Sequence, residues 1–165
     1  QSISAHLIAQ INAGANAVQL FDSWAGILPD GEFEKWSLAP LRRIAERVKK
    51  SCPDIPIIAF PRMAGTRYMQ FASIDAIDVV GLDQTVPCRW ASQKLQPLIT
   101  VQGNLDPAYL LAGGAVMEAE AKRILDIFGQ KPGFVFNLGH GVVKETPPEN
   151  VAALCEVVTN WQAEG

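Results

Sequence analysis

Ile99-Thr100-Val101-Gln102, running into Gly103-Asn104, is a short apolar run that stops at a turn-forming polar pair. Four other stretches follow the same pattern. Val18-Gln19-Leu20-Phe21 ends in Asp22-Ser23, and Ile55 to Phe60 ends in Pro61-Arg62. Ala76 to Leu82 ends in Asp83, and Phe134 to Leu138 ends in Gly139-His140. Runs of this length bounded by turn residues are strand signals. They predict five strands, near residues 17–22, 56–60, 77–82, 99–103 and 134–138.

Between the runs the period changes to that of a helix. Leu38, Leu41, Ile44, Ala45 and Val48 share one face, with Ser37 placed as an N-cap and Lys49-Lys50 where the helix dipole favours cations. Met117, Ala121, Ile124, Leu125 and Phe128 form a second stripe. Thr146-Pro147-Pro148-Glu149 has the pattern of a capping box, with proline at the first helical position. It predicts a last helix with Val151, Leu154, Cys155, Val158 and Trp161 as its apolar stripe. Shorter helices are expected before Gly14 and from about Val86 to Leu95.

Strands that alternate with helices, with no hairpin signal, pair in parallel through right-handed crossovers. Such strands need cover on both faces, so the sheet is either doubly wound or a closed barrel. No Gly-x-Gly-x-x-Gly fingerprint follows a strand and no Walker loop occurs, which counts against nucleotide-binding folds. The polar candidates sit at the C-terminal ends of strands, where both barrels and open sheets place their sites. A full barrel needs eight strands and about 250 residues. Five strands in 165 residues therefore indicate an incomplete barrel or a small open sheet, and periodicity leaves both standing.

Composition narrows the function classes. Hydrophobic residues make up 48% and charged residues 19%, which fits a globular chain with a buried core. The formal net charge of −3 implies no basic surface, so a nucleic acid partner is not expected. No stretch reaches the length of apolar sequence that spans a membrane, and no signal segment opens the chain. The chain begins with Gln1 in what reads as mid-helix, so an upstream portion is expected. Cys52, Cys88 and Cys155 are odd in number and far apart, as expected of a reduced, cytoplasmic setting. His6, His140 and the cysteines have no metal-ligand spacing, and no nucleophile elbow occurs.

Three segments carry a resemblance. Phe21-Asp22-Ser23-Trp24-Ala25-Gly26, Gln102-Gly103-Asn104-Leu105-Asp106-Pro107 and Phe136-Asn137-Leu138-Gly139-His140-Gly141 occur in the order found in the uroporphyrinogen decarboxylase family, which this chain resembles over nearly its whole length. Val80-Gly81-Leu82-Asp83 and Thr146-Pro147-Pro148-Glu149 are similar to further family segments. The resemblance implies an α/β fold: the C-terminal portion, about five βα units, of a (β/α)8 barrel with parallel strands. It implies one partial barrel domain over residues 1–165 whose N-terminal part is absent. It also implies a cytoplasmic enzyme, a homodimer or an assembly with the absent part, that needs no metal or organic cofactor. The reaction implied is loss of carbon dioxide from the four acetate side chains of uroporphyrinogen, giving coproporphyrinogen.

Two of the family's substrate-site residues map onto this chain, Ser23 and His140. The resemblance makes both substrate-binding residues and gives His140 a catalytic proton role. The family's arginines, its pyrrole-binding aspartate and a tyrosine have no counterpart here. Judged without the family, Ser23 is equally a hydroxyl tied to its own loop, and His140 a backbone-bonded structural histidine. Asp22, Asp83 and Asp106 are expected to cap helices. Gln102 and Asn104 are expected to bridge neighbouring strand ends. Arg62 has two readings, an anion ligand or a solvated loop arginine. Trp24, Trp36, Trp90 and Trp161 are expected to pack or to sit at interfaces. A related family of zinc-dependent methyltransferases shares the barrel, and is the alternative. Its His-x-Cys ligands are absent from the strand Ile58-Ala59-Phe60-Pro61. A non-catalytic structural fragment is the remaining reading.

Overall fold

The computed structural model describes residues 2–163. Strand order follows the sequence, β1-β2-β3-β4-β5, in an α/β arrangement of parallel strands alternating with helices. The described residues pack as two compact units, Gln1–Gly81 and Leu82–Gly165.

The first unit opens with helix α1 (Ser2–Asn12) and strand β1 (Val18–Asp22). A short 3-10 turn, Ala25–Ile27, follows. Helix then runs without a break from α2 (Asp30–Phe33), through a π-helical turn (Glu34–Leu38), into α3 (Ala39–Ser51). Pro40 explains the π-turn. A proline here cannot donate to the carbonyl four residues back, and its ring crowds that carbonyl. The wider turn, in which the N–H of Ala39 reaches the carbonyl of Glu34, absorbs the mismatch. Leu41, Ala45 and Val48 are buried on the predicted face of α3. Strands β2 (Ile57–Pro61) and β3 (Val79–Gly81) complete the unit, with α4 (Tyr68–Phe71) between them. β1 pairs in parallel with β2 from Val18↔Ile57 to Asp22↔Pro61, and β2 with β3. Lys49 holds the start of this sheet. Its Nζ lies 2.9 Å from Asp78 Oδ2 and donates to the carbonyl of Ile55, while the same carboxylate oxygen accepts the Ile57 N–H at 2.7 Å.

The second unit contains α5 (Cys88–Trp90) running into another π-helical turn (Ala91–Leu95), then β4 (Thr100–Leu105). α6 (Pro107–Ala112), α7 (Gly114–Phe128), β5 (Phe134–Leu138) and α8 (Pro148–Asn160) follow. β4 and β5 pair in parallel from Val101↔Phe134 to Leu105↔Leu138. Met117, Ala121, Ile124, Leu125 and Phe128 of α7 are all buried, as the period predicts. Each large side chain fully buried in this way is worth about 1.5–3 kcal/mol.

Three local expectations fail for identifiable reasons. Ser37 is not an N-cap. It lies inside the π-turn, and its hydroxyl donates to Asp22 Oδ2 at 2.6 Å instead. The capping box at Thr146 does not form: α8 begins at Pro148 with Pro147 extended before it (φ −61°, ψ 132°). A residue that precedes proline is pushed out of the helical region, so Pro147 cannot be the first helical residue. On α8 itself Leu154 is buried but Cys155 is exposed, so the apolar stripe is narrower than predicted.

Candidate functional site

In the first unit the candidate residues collect at the C-terminal ends of β1 and β2. The parallel ladder continues past its last pair, because the N–H of Arg62 donates to the carbonyl of Asp22 at 3.0 Å. With Asp22 opposite Pro61, Ser23 and Arg62 occupy the next positions of the two strands. The N–H of Gly26 then donates to the carbonyl of Arg62 at 2.9 Å, which ties the two loops together. This approach requires glycine at residue 26, since a Cβ there would overlap Met63.

Asp22 does not cap a helix. One carboxylate oxygen accepts the N–H of Trp24 at 3.3 Å and the other the hydroxyl of Ser37 at 2.6 Å, so it ties the loop to the helix above. Ser23 is exposed at this rim, in the turn that Asp22 organises. Arg62 is half-buried, and its Nε is buried with no hydrogen-bond partner. Arg67, a few residues on, is engaged within the unit. Its Nε donates to Ala64, its Nη1 to Leu28, and its guanidinium stacks 4.1 Å from the Phe33 ring centroid. Trp24 and Trp36 are exposed rather than packed, while Trp161 packs against Gly129 and donates to Asp126 at 2.9 Å.

In the second unit the end of β4 is organised by Asn104. Its buried amide donates to the carbonyls of Asp83 (3.0 Å) and Val86 (2.9 Å), and its oxygen accepts the Cys88 thiol at 3.2 Å. This is the bridging role expected of it, joining the end of β4 to the loop that precedes α5. Asp83 closes a tight turn by accepting from the backbone and hydroxyl of Thr85, and does not cap a helix. Asp106 does cap one: it accepts the N–H of Ala108 at 2.9 Å at the start of α6.

A cleft of about 420 Å³ opens beside Asn104, lined by Thr85, Cys88, Arg89, Tyr109 and Arg123 among others. Arg123 Nη2 lies 3.5 Å from the Cys88 sulfur, and its guanidinium makes a two-point pair with Glu120. The hydrogen bond to Glu120 raises the Arg123 pKa further above its ordinary value, against a smaller opposing effect of burial. Only the Glu120-x-x-Arg123 spacing was visible in the sequence; the Cys88–Asn104 contact joins residues of different elements and left no local signal.

At the end of β5, the N–H of Gly139 donates to the carbonyl of Leu105 at 2.7 Å, and a Cβ on Gly139 would overlap the Gln84 backbone. His140 follows at once and is exposed. Ser23 stands one residue beyond the C-terminal end of β1 and His140 two residues beyond that of β5, each in its own unit. Among the described residues no group of three or more His, Cys, Asp or Glu side chains is placed to hold a metal ion, and no helix is long and apolar enough to cross a membrane.

Comparison with known proteins places this arrangement. A solved structure from Listeria monocytogenes, named as a vitamin-B12 independent methionine synthase, matches with a TM-score of 0.61. The match covers 94% of this chain and 50% of that one at 19% identity, a likeness of fold alone. Among curated relatives, the uroporphyrinogen decarboxylase of Rhodospirillum rubrum is 52% identical over 153 residues, 93% of this chain and 44% of that protein. The uroporphyrinogen decarboxylases of Erythrobacter litoralis and Novosphingobium aromaticivorans are 46% and 44% identical, each over 46% of its own length. The chain therefore spans less than half the length of these relatives. The family model described as uroporphyrinogen decarboxylase (URO-D) matches residues 1–161, and the chain belongs to the uroporphyrinogen decarboxylase family.

Proposed function

We propose that the chain is part of a cytoplasmic uroporphyrinogen decarboxylase, a carboxy-lyase that removes carbon dioxide from the four acetate side chains of uroporphyrinogen III to give coproporphyrinogen III. The observation that carries this reading is 52% identity to the Rhodospirillum rubrum enzyme across 93% of the chain. It is supported by the position of Ser23 and His140 at strand ends, where barrel enzymes keep their sites. In this reading residues 1–165 belong to one barrel domain, completed by a partner or by a further part of the protein.

The chemistry assigns the roles. Decarboxylation of a pyrrole acetate starts with protonation of a ring carbon. The bond to the carboxylate then breaks, and its electron pair neutralises the cationic ring system and leaves an exocyclic methylene. The methylene carbon takes up a proton to become a methyl group, and the ring carbon gives up the proton it first received. The protein must hold several carboxylates and stabilise a passing cation, without a metal or an organic cofactor. Ser23 can donate its hydroxyl to a substrate carboxylate. His140 can bind a carboxylate or deliver a proton. Neither supplies a negative charge for the cation, so the chain alone is expected to bind porphyrin carboxylates without turnover.

Exposed Trp24 lies next to Ser23 and gives a fluorescence probe. Uroporphyrin is expected to quench tryptophan emission saturably. Ser23→Ala and His140→Ala are each expected to weaken binding about tenfold, or about 1.4 kcal/mol. An emission that does not saturate, or variants that bind as the parent does, would remove these residues from the site.

A further inference from the structure

Resting on the reading above, we infer that Arg62 is a substrate-binding residue that holds one porphyrinogen carboxylate together with Ser23. Three observations converge on it. The first is position: Arg62 stands beyond the end of β2, directly beside Ser23 beyond the end of β1, with its backbone locked to Asp22 and Gly26. The second is an unmatched donor. Arg62 Nε is buried and has no hydrogen-bond partner, and among the described residues Arg62 joins none of the ion pairs. A half-buried guanidinium with an idle N–H is costly unless something else satisfies it.

The third observation is that the nearest acid is already committed. Asp22, the natural partner across the two loops, uses one oxygen on the Trp24 N–H and the other on the Ser37 hydroxyl. The positive charge of Arg62 is thereby left for a ligand, in contrast to Arg67, which is spent on Ala64, Leu28 and the face of Phe33. The two terminal N–H groups of a guanidinium form a planar fork that matches the two oxygens of a carboxylate. The Ser23 hydroxyl is the neighbouring third donor. The substrate of the proposed reaction carries carboxylates around its whole rim, which is the chemistry this pair fits.

The test uses the whole chain and three probes: uroporphyrin I, its octamethyl ester, and coproporphyrin I. The parent is expected to bind the free acid at least tenfold more tightly than the ester. Arg62→Gln is expected to remove most of that preference, with an unchanged circular dichroism spectrum and melting temperature. Arg62→Lys is expected to keep part of it, since the charge stays and the fork is lost. Arg47→Gln removes the same charge from an exposed helical position and is expected to change nothing. Loss confined to uroporphyrin would identify the bound group as an acetate, and equal loss with coproporphyrin a propionate; either result supports the inference. If Arg62→Gln binds as the parent does while Ser23→Ala is weakened, the inference fails and the proposed function stands. If the parent itself does not distinguish acid from ester, both fail.

Discussion

Sedimentation of the 165-residue chain at micromolar concentration is expected to show a species larger than a monomer. The reason lies in what the strands leave uncovered. β1 and β5 are the outermost strands of the order, each with one strand neighbour, and a strand edge presents unpaired N–H and C=O groups that recruit further strands. In the first unit Phe21, Trp24 and Ile27 are 70%, 71% and 69% exposed around the end of β1. Soluble monomers rarely show such clusters unless they bind something. Leaving about 400 Å² of apolar surface in water forgoes about 10 kcal/mol, against a typical domain stability of about 5–15 kcal/mol. Association with a second copy, or with a partner that supplies further strands, recovers this energy. A compact monomer that binds no hydrophobic dye would contradict the expectation.

The second large effect belongs to Asn104→Ala. The side chain satisfies two buried carbonyls and accepts a buried thiol, all within the second unit. Alanine leaves the Val86 carbonyl and the Cys88 thiol without this partner, while the Asp83 carbonyl keeps only the N–H of Val86. Each stranded polar group costs about 1–3 kcal/mol, so a total loss of about 3 kcal/mol is expected. With a urea slope of about 2 kcal/mol per molar, the unfolding midpoint falls by about 1.5 M. Asn104→Asp is expected to do no better, because it keeps the thiol acceptor but loses both donors and buries a charge. A midpoint that moves by less than about 0.5 M would mean that the bridge between β4 and the Asp83–Val86 turn carries little of the stability.

The strands and the long helices were legible because each is decided locally. An apolar run ending at Gly103-Asn104 or Asp22-Ser23 has no competing reading, and the stripe on α7 is written in its period. The features that were not legible depend on a partner far along the chain. Ser37 looks like an N-cap until Asp22, fifteen residues earlier, takes its hydroxyl. The Thr146 box looks complete until the steric rule for a residue before proline moves the start of α8 to Pro148. The same holds at the site. Ser23 and His140 are proposed from their motifs alone. Arg62 could be named only as an anion candidate, because whether an arginine is spent or free depends on what its neighbours have already bonded.

The central claim, that these residues build part of a uroporphyrinogen decarboxylase site, is tested most directly by replacement. In the Rhodospirillum rubrum enzyme, the 153-residue segment that this chain matches is exchanged for the chain's own sequence. The chimera is then incubated with uroporphyrinogen III, and coproporphyrin is measured by fluorescence after oxidation. The account predicts turnover by the chimera and a loss of at least a hundredfold on His140→Ala. A chimera that folds and binds uroporphyrin but releases no coproporphyrinogen, or whose turnover is indifferent to His140→Ala, would contradict it.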